Sequence, residues 1–280
     1  MTAGAPVVLF DLDDTLMAHR EAVAAGIVRY MRERAYEGDE EVAARRWHEL
    51  EEEHYLAYLG GALSFEGQRR ARAAAFAREF GEELDDVDAS AWFAEYFERY
   101  RDSWALHDDV IPAFEALAAG LPGVRCGIVT NGELEFQTAK IVRLALHGRV
   151  EHVIASGELG VTKPDRAIFD AAVDRFRTAG AVSGAAYIGD RLRTDAIGAA
   201  RAGLIGVWVN RTGATPDASD AADAEAAGVL EVPGLDELRA NWQEDSRWEP
   251  KMEAAERDRQ IRLWKKAVTK TFDWVDDDVH

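Results

Sequence analysis

The stretch VVLFDLDDTL (residues 7–16) joins a short apolar run to a cluster of acidic residues. Four consecutive apolar residues predict a strand that is buried on both faces of a parallel sheet. Ligands of open α/β sheets bind beyond the carboxyl ends of the strands, so Asp11 and Asp13 lie where chemistry is expected. Carboxylates at one point repel each other unless a cation neutralises them, and hard cations such as Mg²⁺ prefer oxygen ligands. Alone, the motif leaves open both a catalytic metal site and an acidic turn at a strand end.

Two later segments also place polar residues after an apolar run. GIVTNG (residues 127–132) ends in Thr130, Asn131 and Gly132, whose side-chain and backbone groups can donate hydrogen bonds to phosphoryl oxygens. Asn-Gly is also a common turn pair, so this segment is ambiguous by itself. GVTKPD (residues 160–165) contains Lys163, which can act as a counter-charge or simply be solvated.

The segment YIGDRLRTD (residues 187–195) is a further strand end with acidic residues, Asp190 and Asp195. Its Arg191 could bind a substrate anion or point to solvent, and we favour solvent because long charged side chains are mostly exposed.

Alternating apolar runs and amphipathic patterns predict an α/β fold with a doubly wound parallel sheet. Residues 18–105 differ, because they show four helical patterns and no convincing strand. We therefore predict an α/β core formed by residues 1–17 and 106–245, with an inserted α-helical cap at 18–105. Residues 246–280 are predicted to be a C-terminal helical extension or tail.

Composition narrows the functional classes. The 280-residue chain has a formal net charge of −19, which repels nucleic-acid backbones and argues against nucleic-acid partners. We expect no membrane partner, because no apolar run approaches the ~20 residues of a spanning helix. The single cysteine fits a reducing compartment, and the N-terminus lacks the pattern of a signal peptide, so a cytoplasmic location is expected. The sequence does not distinguish a monomer from a homodimer.

The four segments, in this order, resemble the motifs of the haloacid dehalogenase-like hydrolase superfamily, over roughly residues 7–232. The helical insert resembles the C1-type cap of its phosphatase branch. The resemblance implies that Asp11 is a nucleophile that becomes an aspartyl-phosphate and that Asp13 is the general acid/base. It also implies that Lys163 offsets the charge of the nucleophile and the phosphate.

The same resemblance implies further roles. Thr130, Asn131, Gly132 and Lys163 correspond to the phosphate-binding positions. The magnesium ligands would come from Asp11, Asp13 and Asp190, with Asp13 contributing its backbone carbonyl. Thr15 and Asp195 correspond to supporting positions. Of the insert residues, His19 and Arg20 are the first candidates for substrate specificity, because they follow the catalytic loop directly.

These roles imply a Mg²⁺-dependent phosphomonoester hydrolase that acts on a small phosphorylated metabolite of the nucleotide or sugar phosphate type. A phosphomutase of the same fold, or a non-catalytic binding protein that retains it, remains as an alternative. A dehalogenase is disfavoured, because dehalogenases usually lack a carboxylate at the position of Asp13.

Overall fold

The computed structural model describes residues 4–238 and Arg259. The described residues form one six-stranded sheet in which all neighbouring strands are parallel. The strands are β1 (Ala5–Phe10), β2 (Arg125–Thr130), β3 (His152–Ala155), β4 (Val182–Gly189), β5 (Ile205–Val209) and β6 (Leu230–Val232). The predicted doubly wound α/β fold is confirmed.

The order of the strands is β3-β2-β1-β4-β5-β6, with β1 and β4 at the centre. From β1 the chain moves outward through β2 to β3, and then returns to β4 on the other side of β1. The connections that follow β1 and β4 therefore run in opposite directions and leave a crevice at the carboxyl ends of these strands. Asp11 and Asp190, which follow these two strands, lie at that crevice.

The two faces of the sheet carry separate apolar clusters. Side chains alternate along a strand, so Val8 and Phe10 of β1 face one cluster while Val7 and Leu9 face the other. All four side chains are buried, in accordance with the uninterrupted apolar run.

Helices cover both faces of the sheet and form the segment after β1. They are α1 (His19–Glu33), α2 (Glu40–Leu59), α3 (Phe65–Glu79), α4 (Asp86–Asp102), α5 (Val110–Gly120), α6 (Leu134–Arg143), α7 (Ser156–Leu159), α8 (Arg166–Arg177), α9 (Gly198–Arg201) and α10 (Ala218–Ala227). A π-helical turn spans Leu192–Ile197, and a 3₁₀ turn spans Leu235–Glu237.

The first four helices occupy the predicted insert. The side chains of Asp39, Ser64 and Asp85 accept backbone N–H bonds at the beginning of α2, α3 and α4, respectively. The capping by Asp85 fixes the beginning of α4 at Asp86. The division into core and cap at residues 18 and 105 remains a prediction.

Aromatic residues form the centre of this helical segment. The ring of Trp47 is fully buried and lies 4.6 Å from Tyr96, 5.2 Å from Phe76 and 5.3 Å from Trp92. Trp47 is therefore a core residue of the helical segment. Within residues 4–238, no helix has both the length and the apolar character needed to cross a bilayer. The predicted C-terminal extension, residues 246–280, lies outside the described residues except for Arg259.

Candidate active site

The centre of the site is a buried ion cluster around Lys163. Its Nζ donates hydrogen bonds to Asp11 Oδ1 at 2.5 Å and to Asp195 Oδ1 at 2.8 Å. A third hydrogen bond joins Nζ to the hydroxyl of Tyr187 at 2.8 Å. Burial would lower the pKa of Lys163, but the two carboxylates outweigh burial and raise the pKa above its usual value. Lys163 is therefore a fixed cation beside Asp11.

Three carboxylates lie close enough to share a cation. Single oxygens of Asp11, Asp190 and Asp195 all lie within 4.8 Å of one another. Burial raises the pKa of Asp11 to about 6, with a further contribution from Asp195, against the opposing effect of Lys163. Burial and the charges of Asp11 and Asp195 raise the pKa of Asp190 well above its usual value. A bound divalent cation would relieve this repulsion, and the oxygen donors fit Mg²⁺.

Hydrogen bonds join the loops that carry these carboxylates. The backbone N–H of Asp11 donates to Ile188 O at 2.9 Å and so extends the β1–β4 pairing by one residue. The buried hydroxyl of Thr15 lies 3.5 Å from Asp11 Oδ2 and accepts the backbone N–H of Asp190 at 2.9 Å. A Cβ at Gly189 would lie 2.5 Å from the side chain of Asp195, so only glycine fits this approach.

Asp13 is held by two residues that the sequence analysis missed. The Nζ of Lys140 lies 2.7 and 2.8 Å from the two carboxylate oxygens of Asp13, and the Nε2 of Gln137 lies 3.2 Å from one of them. Burial would raise the pKa of Asp13, but Lys140 and His19 outweigh it and hold the pKa below its usual value. The side chain of Asp13 thus forms an ion pair with Lys140. The expected metal ligand at this position is the backbone carbonyl of Asp13, which this ion pair leaves available.

A sequence signal for these two residues exists. Gln137 and Lys140 are three positions apart on α6, so they lie on the same face of that helix. Because α6 begins just after the polar strand end at residues 130–132, this face is directed at the catalytic crevice.

The segment after β2 organises the site through its side chains. Asn131 Nδ2 donates to Lys163 O at 3.0 Å, and Asn131 Oδ1 accepts the backbone N–H of Lys163 at 2.7 Å. The Asn131 amide therefore fixes the Lys163 loop, so a phosphate contact at this residue would use its backbone N–H. The hydroxyl of Thr130 accepts a hydrogen bond from Gln137 at 2.9 Å, and Gly132 packs against the same glutamine side chain.

Arg20 is not brought to the catalytic cavity. It supports the loop at Asp14, whose φ of 61° lies in the left-handed region that Asp tolerates better than most residues. The backbone N–H of Arg20 donates to Asp14 Oδ1 at 2.8 Å, and its Nε lies 3.1 Å from Asp14 Oδ2. The role of Arg20 in substrate specificity stays a prediction, and in this structure its side chain forms an ion pair with Asp14.

Helices of the insert lie over the site, and together with the strand-end loops they line a cavity of about 270 Å³. His19 lines this cavity, with Nδ1 2.9 Å from the hydroxyl of Tyr100 and Nε2 3.5 Å from Glu51. Arg191 also lines it and is 51% exposed, and its Nη2 contacts Glu52 of α2 at 2.7 Å. The hydroxyl of Tyr55 donates to Asn131 O at 2.7 Å and forms a second contact between the insert and the strand ends.

A family profile for haloacid dehalogenase-like hydrolases matches residues 5–203. The chain belongs to this family. The resemblance predicted from the four motifs is therefore confirmed. A relative from Methanopyrus kandleri, a glyceraldehyde 3-phosphate phosphatase, is 31% identical over 208 residues, which cover 73% of this chain and 83% of that protein.

Solved structures of the family share the fold. The HAD hydrolase YfnB of Bacillus subtilis, solved bound to magnesium, aligns with a TM-score of 0.67 at 21% identity and covers 85% of this chain and 98% of its own. A 2-haloacid dehalogenase from Pseudomonas syringae pv. Tomato aligns with a TM-score of 0.54 at 25% identity, over 84% of this chain and 97% of that one.

Short matches to glycerol kinases also occur. The glycerol kinase of Leifsonia xyli subsp. xyli is 87% identical over 45 residues, which are 16% of this chain and 9% of that protein. The chain spans only 9 to 18% of the length of the first three such kinases. By comparison, the haloacid dehalogenase-like profile matches most of the described residues.

Proposed function

We propose that this hydrolase removes the phosphoryl group from a small phosphomonoester, with Mg²⁺ as its metal and Asp11 as its nucleophile. The observation that carries the proposal is the buried cluster in which Lys163 contacts Asp11 and Asp195 beside Asp190. A carboxylate that attacks a phosphate dianion is repelled unless nearby cations neutralise part of the negative charge. Catalysis of phosphoryl transfer consists mainly of positioning the reacting groups and stabilising this charge. The phosphatase from Methanopyrus kandleri adds support.

In the first step, a carboxylate oxygen of Asp11 attacks phosphorus, and the bond from phosphorus to the ester oxygen breaks. Asp13 donates a proton to the departing ester oxygen, so an alcohol leaves. The negative charge of a bound phosphate favours the protonated form of Asp13 and opposes the effect of Lys140. Lys163 remains protonated and stabilises the charge on the phosphoryl oxygens.

In the second step, water attacks the phosphorus of the Asp11 phosphate, and inorganic phosphate leaves while the Asp11 carboxylate is restored. Asp13 accepts a proton from the attacking water, and its contacts with Lys140 favour the carboxylate that this role requires. Asp13 donates this proton to the departing ester oxygen in the next catalytic cycle. Covalent catalysis thereby splits the hydrolysis into two displacements.

Asp11, Asp190 and the backbone carbonyl of Asp13 would hold Mg²⁺, which when bound supplies positive charge to the transferring phosphoryl group. Asp195 would hold Lys163 and the loop after β4 in position, because its two oxygens accept hydrogen bonds from Lys163 and from the backbone N–H of Arg191.

A dehalogenase is the main competing reaction, given the solved neighbours of that activity. It would also use Asp11, but it forms a carbon ester and releases halide, so it requires no acid at position 13. The two oxygens of Asp13 are held by Lys140, which is only 1% exposed. Such support for a second carboxylate favours phosphoryl transfer. A phosphomutase would retain the same groups and differ in where the phosphoryl group goes.

The test is steady-state hydrolysis of p-nitrophenyl phosphate with Mg²⁺, in parallel with halide release from 2-chloropropionate. We expect phosphate release that EDTA abolishes, that Mg²⁺ restores, and that Asp11→Asn eliminates. A mutase would return the phosphoryl group to an added sugar phosphate instead of releasing it. Halide release without phosphate release would contradict the proposal, as would phosphate release that persists in Asp11→Asn.

A further inference from the structure

The charges that line the catalytic cavity are almost fully paired. Of the described residues, five Lys and Arg side chains line it, and four of them contact carboxylates that also line it. These four pairs are Lys140–Asp13 at 2.7 Å, Lys163–Asp11 at 2.5 Å, Arg72–Glu51 at 2.6 Å and Arg191–Glu52 at 2.7 Å.

Arg69 of α3 is the exception. Its ionic partner is Glu66, one turn earlier on the same helix, at 2.9 Å. The side chain of Glu66 is 62% exposed and lies outside the cavity lining, whereas that of Arg69 is 19% exposed and lies within it. An exposed pair of this kind contributes little, so it offsets little of the cost of burying the guanidinium.

The surroundings of Arg69 are aromatic. Its Cζ lies 4.1 Å from the ring centroid of Phe65, 5.3 Å from Phe93, 5.5 Å from Phe97 and 5.7 Å from Phe136, and all four rings line the cavity. Burial lowers the pKa of Arg69. A guanidinium that stacks on ring faces still has N–H groups along its edge, and those of Arg69 that are not bonded to Glu66 can donate hydrogen bonds to an anion.

The position of Arg69 relative to Asp13 fixes which part of a substrate it would meet. Both cations are near the ring of Phe136, whose centroid lies 4.6 Å from Lys140 Nζ and 5.7 Å from Arg69 Cζ. Lys140 contacts Asp13, and both Asp13 and Arg69 line the same cavity, so Phe136 and Lys140 connect Arg69 to the residue proposed as the catalytic acid. Asp13 serves the leaving oxygen, so the alcohol part of the substrate extends into this region.

We propose that Arg69 and its four phenylalanine rings form a subsite for a second anionic group on the leaving alcohol. The preferred substrates are then small phosphomonoesters that carry a carboxylate or a second phosphate beyond the ester. This inference rests on the proposed function, since it assigns the far end of the same substrate. The cavity of about 270 Å³ has room for a small metabolite of this kind.

Calorimetric binding in the Asp11→Asn background with Mg²⁺ tests the subsite without requiring turnover. Two matched series of three to six carbons serve as ligands: polyol phosphates from glycerol 3-phosphate to sorbitol 6-phosphate, and the corresponding acids from 3-phosphoglycerate to 6-phosphogluconate. A hexitol 1,6-bisphosphate provides the phosphate arm. We expect the acid or the bisphosphate of at least one length to bind roughly ten- to a hundredfold more tightly than its neutral counterpart.

Arg69→Gln is expected to remove this preference, and Arg69→Lys to retain part of it because the charge remains. Arg70→Gln is the matched control, since Arg70 is on the same helix, lies outside the cavity lining and is 3.9 Å from Asp86, which is exposed. Circular dichroism of each variant establishes that it is folded.

The subsite would be overturned if every acid and the bisphosphate had the same dissociation constant as the neutral counterpart of equal length, or if the preference survived in Arg69→Gln. Hydrolysis of p-nitrophenyl phosphate by the unmodified protein reports separately on the proposed function. If that hydrolysis is absent while Arg69 still selects acidic ligands, the phosphatase assignment fails and the anion subsite stands.

Discussion

Replacing Lys140 by Met tests whether the position of Asp13 depends on this lysine. Met has a similar length and fills the same space without the amine. In the structure, the amine makes hydrogen bonds to both oxygens of Asp13, whose side chain is 29% exposed. A hydrogen bond to a charged group contributes roughly 1.5–3 kcal/mol. About 1.4 kcal/mol corresponds to a tenfold change in a rate constant. If these hydrogen bonds hold Asp13 in its reactive position, their loss therefore predicts a roughly ten- to hundredfold lower kcat.

The assay is steady-state hydrolysis of an alkyl phosphate, whose poor leaving group needs protonation, with kcat and KM determined separately. We expect kcat to fall while KM changes little, because Asp13 acts on the reacting oxygen and not on ground-state binding. Lys140→Arg should recover part of kcat. Arg143→Met is the control, since Arg143 is on the same helix but is 47% exposed. A folded Lys140→Met protein with the kcat of the unmodified enzyme would refute the positioning role.

Three further changes address the metal, an ion pair of the insert and its core. Asp190→Asn should raise the melting temperature of the metal-free protein, since it removes a buried charge that repels Asp11. It should also abolish the rise in melting temperature that Mg²⁺ causes in differential scanning fluorimetry. An unchanged rise with Mg²⁺ would count against Asp190 as a ligand. Burial would raise the pKa of Glu51, but Arg72 and His19 hold it well below its ordinary 4.5. Glu51→Gln should therefore lower the free energy of unfolding by about 1–3 kcal/mol at pH 7. The difference between the two proteins should shrink as the pH falls below 4.5 towards the folded-state pKa, because protonation of Glu51 removes its contribution. A difference in urea denaturation that does not depend on pH would contradict the ion pair. Trp47→Ala should cost about 3–5 kcal/mol in the same denaturation assay because it removes a fully buried ring, and a cost below 1 kcal/mol would show that the ring is not central to the core.

The sheet and most helices were predictable because their sequence patterns are strong. The four apolar residues before Asp11 specify a central strand, and their alternation between two buried clusters matches the parallel sheet. Helix α10 (Ala218–Ala227) was not predicted, since none of its residues is buried and its composition gives little apolar periodicity. The segment after Asp190 begins with the π-helical turn Leu192–Ile197 before the helix α9. Such turns have no simple sequence pattern.

The candidate site was partly predictable for a similar reason. Residues at strand ends converge because parallel strands end at the same edge of a sheet, and this reasoning predicted that Asp11 and Asp190 lie together. Lys163 lies in the loop between α7 and α8, and its role was indicated only by the family resemblance. Lys140 and Gln137 were missed because they lie inside a helix, where a lysine or glutamine usually faces solvent. Arg20 was chosen for its proximity in sequence to Asp11, which does not determine the direction of a side chain, and in the structure this side chain pairs with Asp14.

The most direct measurement for the central claim is the covalent state of Asp11 during turnover. The protein, supplied with Mg²⁺ and a phosphomonoester, is quenched rapidly in acid, digested, and analysed by mass spectrometry. Our account predicts a phosphoryl group on Asp11 in the unmodified enzyme, and its accumulation in Asp13→Asn when an aryl phosphate with a good leaving group is used. Phosphate release without any label on Asp11 in either protein, or the same label in Asp11→Asn, would contradict it.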